Sequence, residues 1–217
     1  MIVGMWMTRD VATIEPHTLI SDAAALMAAR RVRRLPVVAR QESGQRLVGI
    51  VSAKDILHAF PPDVNPFAAV GSDRSPHPAV TAQIMSTTLH TAAPETPIEQ
   101  AAALMAEKKI GALPVVRDGR LVGLITESDI FRVFVTFFAT PHGGARITFD
   151  LSQDDRDVFG FISQTALQRN VRVLSLITSR QENVPVCVVR IAGAAVESFL
   201  EDLWSSGRRV LHVLRIP

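Results

Sequence analysis

A repeated unit of about fifty residues constrains this chain more than any other feature. The phrase "LVGIVSAKDI", Leu47 to Ile56, returns as "LVGLITESDI", Leu121 to Ile130, and "ISDAAALMAARRVRRLPVV" at 20–38 aligns with "IEQAAALMAEKKIGALPVV" at 98–116. The offset is 78 residues in the earlier stretch and 74 in the later one, so the first copy carries four extra residues in its turn, "ARQESGQR" against "RDGR". Insertions confined to a turn are what folded repeats tolerate.

Inside each copy, Ile20, Ala23, Ala24 and Met27, and likewise Ile98, Ala101, Ala102 and Met105, recur at i, i+3, i+4 and i+7. That period predicts a helix with one apolar stripe. Thr96 as N-cap, Pro97 at the first helical position and Glu99 completing a capping box mark its start in the second copy. Two β-branched runs around a polar turn then predict a strand pair, and a second helix follows, "AKDILHAF" or "ESDIFRVF". The predicted unit is β-α-β-β-α.

The unit resembles a CBS domain, and the doubled unit a Bateman module, over roughly residues 5 to 138. The resemblance rests on the openings Met7-Thr8 and Met85-Ser86, the "AAALM" helix, "LPVV", and the ending glycine–apolar–apolar–Ser/Thr–x–x–Asp.

That ending pairs a hydroxyl with a carboxylate three residues later: Ser52 with Asp55, Thr126 with Asp129. An ionised aspartate accepts hydrogen bonds at two oxygens, which suits the adjacent hydroxyls of a ribose. A hydroxyl at a strand-to-helix turn suits sugar or phosphate. The resemblance implies an adenine nucleotide (AMP, ADP or ATP) or S-adenosylmethionine as regulatory ligand at these four residues, with no required cofactor. A purely local role is the rival: Ser52 and Thr126 capping the second helix, Asp55 and Asp129 complementing its dipole.

The copies differ in charge. Arg33 and Arg34 precede the strand in the first, where the second has Gly111 and Ala112, and Lys54 adjoins Asp55. A basic pair here resembles family members that hold nucleotide phosphates, and the planar arginine fork suits phosphate oxygens; a solvated helix end is the alternative. Thr13 and Thr91 occupy the equivalent first-strand positions, where the resemblance implies contact with base or sugar.

After 138 the order changes to β-α-β-β-α-β, with Val196, Phe199, Leu200 and Leu203 on one face of the last helix, which stops at Gly207. This half resembles an ACT domain. Asp157 and Gly160 stand where that family has an Asp-x-Pro-Gly turn, with Phe159 replacing the proline. The resemblance implies self-association or an amino-acid site at the turn, and a CBS tandem followed by ACT resembles acetoin-utilisation-type regulatory proteins.

The expected fold class is α/β in the broad sense (α+β), a CBS pair followed by a ferredoxin-like ACT domain. Expected boundaries are 1–60 and 81–138 for the CBS units, 61–80 and 139–145 for linkers, and 146–217 for the ACT-like domain. Phe131, Phe134, Phe137 and Phe138 form an aromatic stripe read as core or subunit contact.

Composition narrows the function. With 23 Lys and Arg against 21 Asp and Glu, the net charge of +2 gives no footprint for nucleic acid. No apolar run reaches the ~18 residues of a membrane helix, and no basic leader opens the chain. Cys187, the single cysteine, sits in an apolar strand run, where a buried thiol is expected. The six histidines lack ligand spacing. The sequence carries no nucleophile–base pair and no P-loop. Composition and motifs thus point to no nucleic-acid or membrane partner and no catalytic set, and the resemblance to CBS and ACT domains implies a cytoplasmic, non-catalytic regulator, a homodimer or higher homo-oligomer acting on an unknown partner protein. A dimerisation scaffold with empty clefts and an amino-acid sensor are the alternatives.

Overall fold

The computed structural model describes residues 1–41, 44–61, 64–67, 79–138, 143–152, 158–181 and 183–216. The chain divides into two compact units, Met1–Val133 and Phe134–Pro217.

The two copies run α1 (Ile20–Arg30), β1 (Arg34–Gln41), β2 (Gly44–Ser52), α2 (Ala53–Ala59) and then α3 (Ile98–Lys108), β3 (Ala112–Arg117), β4 (Arg120–Thr126), α4 (Glu127–Phe138), whose last residues, from Phe134, are counted with the C-terminal unit. The helix stripes are buried as their period predicts. Ile20, Ala23, Ala24 and Met27 are at most 1% exposed and Ile98, Ala101 and Met105 at most 5%, while Ala102 is only half-buried. Burying Ile20 or Met27 contributes about 1.5–3 kcal/mol each. The β3–β4 turn is closed by Asp118 and Gly119, both at positive φ, the geometry a two-residue hairpin needs. The two hairpins join edge to edge in the order β1-β2-β4-β3, through the single pairing Arg46↔Arg120.

Three local expectations are corrected. The predicted first strand of each copy shrinks to one parallel bridge, Ile14↔Val37 and Ala92↔Val115, each beside a bulge that interrupts the partner ladder. Helix α3 begins one residue later than the capping signal suggests, with Pro97 as N-cap. The Thr96 hydroxyl instead accepts from the Ala93 N–H at 2.9 Å, a local turn bond that competes with capping.

The opening segments are exchanged between the copies. Val3 and Met7 pack in the core of the second copy, with Ile98, Met105 and Ile125, while Ile84 and Met85 pack against that of the first. Thr8 and Leu124 trade both backbone bonds at 2.9 Å, and Ser86 and Ile50 do the same at 2.9 and 3.1 Å. Each exchange lays a methionine over the other copy's strand glycine. A methyl at Gly49 would fall 2.5 Å from Met85 Sδ, and one at Gly123 would fall 2.5 Å from Met7 Sδ and 2.9 Å from the Thr8 carbonyl. The paired "MT/MS" and "LVG" motifs are two halves of one contact.

The C-terminal unit is β5 (Gly144–Asp150), α5 (Val158–Gln168), β6 (Arg172–Gln181), β7 (Val184–Ala192), α6 (Val196–Ser205) and β8 (Val210–Ile216). Its antiparallel sheet has the order β6-β7-β5-β8, the ferredoxin-like βαββαβ arrangement. Alternation puts Ala145, Ile147 and Phe149 of β5 and Cys187, Val189 and Ile191 of β7 on one face, packed against α5 and α6 with Phe199, Leu200 and Leu203. Burial pushes the Cys187 thiol up to about 11, so it is protonated and inert near neutral pH. Phe134 and Phe138 stack with ring centres 4.3 Å apart, but Phe131, Phe134 and Phe137 are 69, 56 and 43% exposed. The aromatic stripe is therefore not core within the chain.

Candidate functional site

The hydroxyl–aspartate motif folds identically in both copies. The Ser52 hydroxyl accepts from the Asp55 N–H at 3.2 Å, and Asp55 Oδ2 accepts from the Ser52 N–H at 2.8 Å and the Ser52 hydroxyl at 2.7 Å. In the second copy the Thr126 hydroxyl accepts from the Asp129 N–H at 3.3 Å, and Asp129 Oδ2 accepts from the Thr126 N–H at 2.9 Å and the hydroxyl at 2.7 Å. This is a reciprocal capping box with aspartate in the position glutamate usually takes. It uses one carboxylate oxygen and leaves the other for something else.

The second oxygen separates the copies. Asp129 Oδ1 accepts from the Arg132 guanidinium, three residues along α4, and Asp129 is 5% exposed. The position matching Arg132 in the first copy is His58, which is exposed. Among the described residues Asp55 Oδ1 has no protein donor, and Asp55 lines a cavity of about 410 Å³.

That cavity is built by both copies. The first supplies Ile50, Ser52, Lys54 and Asp55 from the β2–α2 corner, with Arg33 and Arg34 from the entry to β1; the second supplies Leu89, His90, Lys109 and Ile110 across from them. A pseudo-equivalent cavity of about 220 Å³ has Thr126, Glu127 and Ser128 at its corner and Asp10, Val11 and Arg31 opposite. Arg33, Arg34 and Gly111 line both. Arg31 and Lys109, the C-caps of α1 and α3, have φ of 53° and 54°, a left-handed conformation that costs a non-glycine residue about 1 kcal/mol.

Arg34 is the most constrained cation. Burial lowers its pKa, the Glu127 carboxylate opposes that, and Arg33 adds to it; an arginine stays charged throughout. A methyl at Gly111 would lie 2.2 Å from Arg34 Nη2 and 2.7 Å from Glu127 Oε2. The bare glycine gives the guanidinium its place.

Of the residues expected from sequence, Ser52, Asp55, Arg33, Arg34 and Lys54 come together in the larger cavity and Thr126 lines the smaller. Asp129 lines neither, and its second oxygen is taken by Arg132. Thr13 and Thr91 also fall outside both linings, and their neighbours Ala12 and His90 take those places. Asp157 lies outside the described residues. Gly160 is exposed in the first turn of α5, because the helix already starts at the buried Val158. Sequence reading missed Lys109, His90 and Arg132. Lys109 matches Arg31 in the alignment, and the i, i+3 spacing of Asp129 and Arg132 was a legible ion-pair signal.

Among the described residues no three His, Cys, Asp or Glu side chains converge as a metal site, and no helix is long and apolar enough to cross a membrane.

The chain is similar to known proteins over its N-terminal part. A homoserine O-acetyltransferase from Methanohalobium evestigatum is 36% identical over 132 residues, 60% of this chain but 24% of that protein; the chain thus spans about a quarter of the relative it matches. Among solved structures, an acetoin utilization protein (AcuB) from Vibrio cholerae superposes with a TM-score of 0.51 at 31% identity, over 63% of this chain and 91% of that one. CBSX2 in complex with AMP gives 0.51 at 30% identity, over 64% and 98%. The CBS domain pair of protein MJ0100, in complex with 5′-methylthioadenosine and S-adenosyl-L-methionine, gives 0.51 at 27%, over 63% and 97%. The CBS domain model matches twice, at residues 3–62 and 80–136, more than half of the sequence, and the chain belongs to the CBS-domain family.

Proposed function

We propose that this chain is a non-catalytic regulatory sensor that binds an adenosyl ligand in the Asp55 cavity. The observation that carries the reading is Asp55, whose second oxygen has no protein donor among the described residues, lining a cavity together with Ser52, Arg33, Arg34 and Lys54. A carboxylate for ribose hydroxyls and cations for phosphate are the two recognition elements a nucleotide needs. The ligands named for the similar CBS pairs, AMP, 5′-methylthioadenosine and S-adenosyl-L-methionine, support the adenosyl class. Ligand binding shifts the placement of the two copies, by an amount limited to the difference in affinity between the states. The C-terminal unit serves as an ACT-like pairing module, so the working form is a cytoplasmic homodimer or higher homo-oligomer that signals to a regulated protein. Its strand order supports the ACT-like assignment.

The test is calorimetric titration with AMP, ADP, ATP and S-adenosylmethionine, alongside Asp55→Ala and Asp129→Ala variants, with melting temperature as the folding control. Saturable heat that is lost in Asp55→Ala and kept in Asp129→Ala is expected. A second reading, a dimerisation scaffold, is favoured by one observation: both capping boxes are complete without ligand. Silence with all four compounds and an unchanged melting temperature would establish it.

A further inference from the structure

We propose that the two cavities draw on one pair of guanidinium groups, so that each chain holds a single adenosine polyphosphate, in the Asp55 cavity, which selects it over a sulfonium-bearing adenosyl compound. This rests on the adenosyl reading above.

The argument starts from charge. Among its described lining residues the Asp55 cavity has four permanent cations, Arg33, Arg34, Lys54 and Lys109, and one carboxylate. A polyphosphate supplies the three or four negative charges that such a lining can pair, and charge-assisted bonds to its oxygens are the strong ones. A monophosphate uses fewer of these cations. A sulfonium cation brings another positive charge into the same space, and like charges at close range disfavour binding.

Among its described lining residues the smaller cavity has one cation of its own, Arg31, against Asp10 and Glu127; its other cations are Arg33 and Arg34 again. Once a polyphosphate has engaged Arg33 and Arg34 from the Asp55 side, the remaining lining is net negative and repels a second anion. The sharing is structurally one-sided. Arg34 crosses over Gly111, where any side chain would collide with it, and the aligned position in the first copy is Arg33. Thus the second copy offers room where the first offers charge.

The experiment is titration of the full chain with ATP, AMP and S-adenosylmethionine, repeated for Arg34→Ala and Arg34→Lys, with Asp55→Ala to locate the site. Expected are one ATP per chain and ATP affinity at least tenfold above that for S-adenosylmethionine. Arg34→Ala should lose tenfold or more for ATP without weakening S-adenosylmethionine, and Arg34→Lys should recover part of the loss. Two ATP per chain with similar affinities would overturn the proposal. So would S-adenosylmethionine binding as tightly as ATP, or ATP binding untouched by Arg34→Ala or by Asp55→Ala. Each of those results leaves adenosyl binding itself standing, whereas no binding by any of the three removes both readings.

Discussion

The two copies of the repeat share a backbone yet differ in what one motif is free to do. Ser52–Asp55 and Thr126–Asp129 make the same capping box with nearly the same distances, so the box itself distinguishes nothing. The difference lies one helical turn on, where Arg132 donates to the second oxygen of Asp129, whereas among the described residues the second oxygen of Asp55 has no protein donor and Asp55 lines the cavity. A motif that builds a helix end becomes a binding element only when its neighbours leave part of it unspent. The same lesson holds at the entry to the strands, where Arg33 stands opposite in alignment to Gly111.

The comparison can be broken most forcefully in the cores. Leu35 and Leu113 are equivalent and fully buried, so Leu35→Ala and Leu113→Ala should each cost about 2–5 kcal/mol in chemical denaturation. A large difference between them would mean that the copies are not equal scaffolds. The strand glycines should separate the copies next. Gly123→Ala meets a backbone oxygen as well as a methionine, whereas the three atoms nearest a methyl at Gly49 all belong to the Met85 side chain. Gly123→Ala is expected to lose about 1–3 kcal/mol and Gly49→Ala less, read as two melting temperatures.

Exchanging the neighbours of the aspartates sharpens the contrast at the site. His58→Arg should engage Asp55 and weaken nucleotide binding by about tenfold, equivalent to about 1.4 kcal/mol, while Arg132→His leaves that binding unchanged. Titration of both variants checks this, and equal effects would dissolve the asymmetry. The smallest expected change is a gain. Lys109→Gly and Arg31→Gly relieve left-handed strain and should raise stability by about 0.5–1 kcal/mol each. Only Lys109→Gly should also weaken nucleotide binding, because Lys109 alone of the two lines the Asp55 cavity.

Much of the fold was legible because burial follows period. The stripe of α1, that of α3 apart from the half-buried Ala102, and the last-helix set Val196, Phe199, Leu200 and Leu203 are buried where spacing put them. Caps were harder to read, since Thr96 had two local donors available to it and took the turn bond. The first strands were overread: Thr13 and Thr91 lie in segments with only a single bridge to hold them. The exchange of opening segments left no mark in the alignment, because matching Met7 to Met85 is the same whichever copy each one packs against. At the site, residue type found the first copy's cations, but Lys109 and His90 come from the other copy and needed three dimensions.

The exchanged openings also impose an order on synthesis. Met7 and Thr8 leave the ribosome more than a hundred residues ahead of the strand that completes them, through Gly123 and Leu124. At translation rates of about 5–20 residues per second, the nascent opening waits on the order of ten seconds for its partner. Gly49 waits in the same way for Met85, so a fragment ending between the repeats would carry an opening strip without its partner strand and an uncovered Gly49.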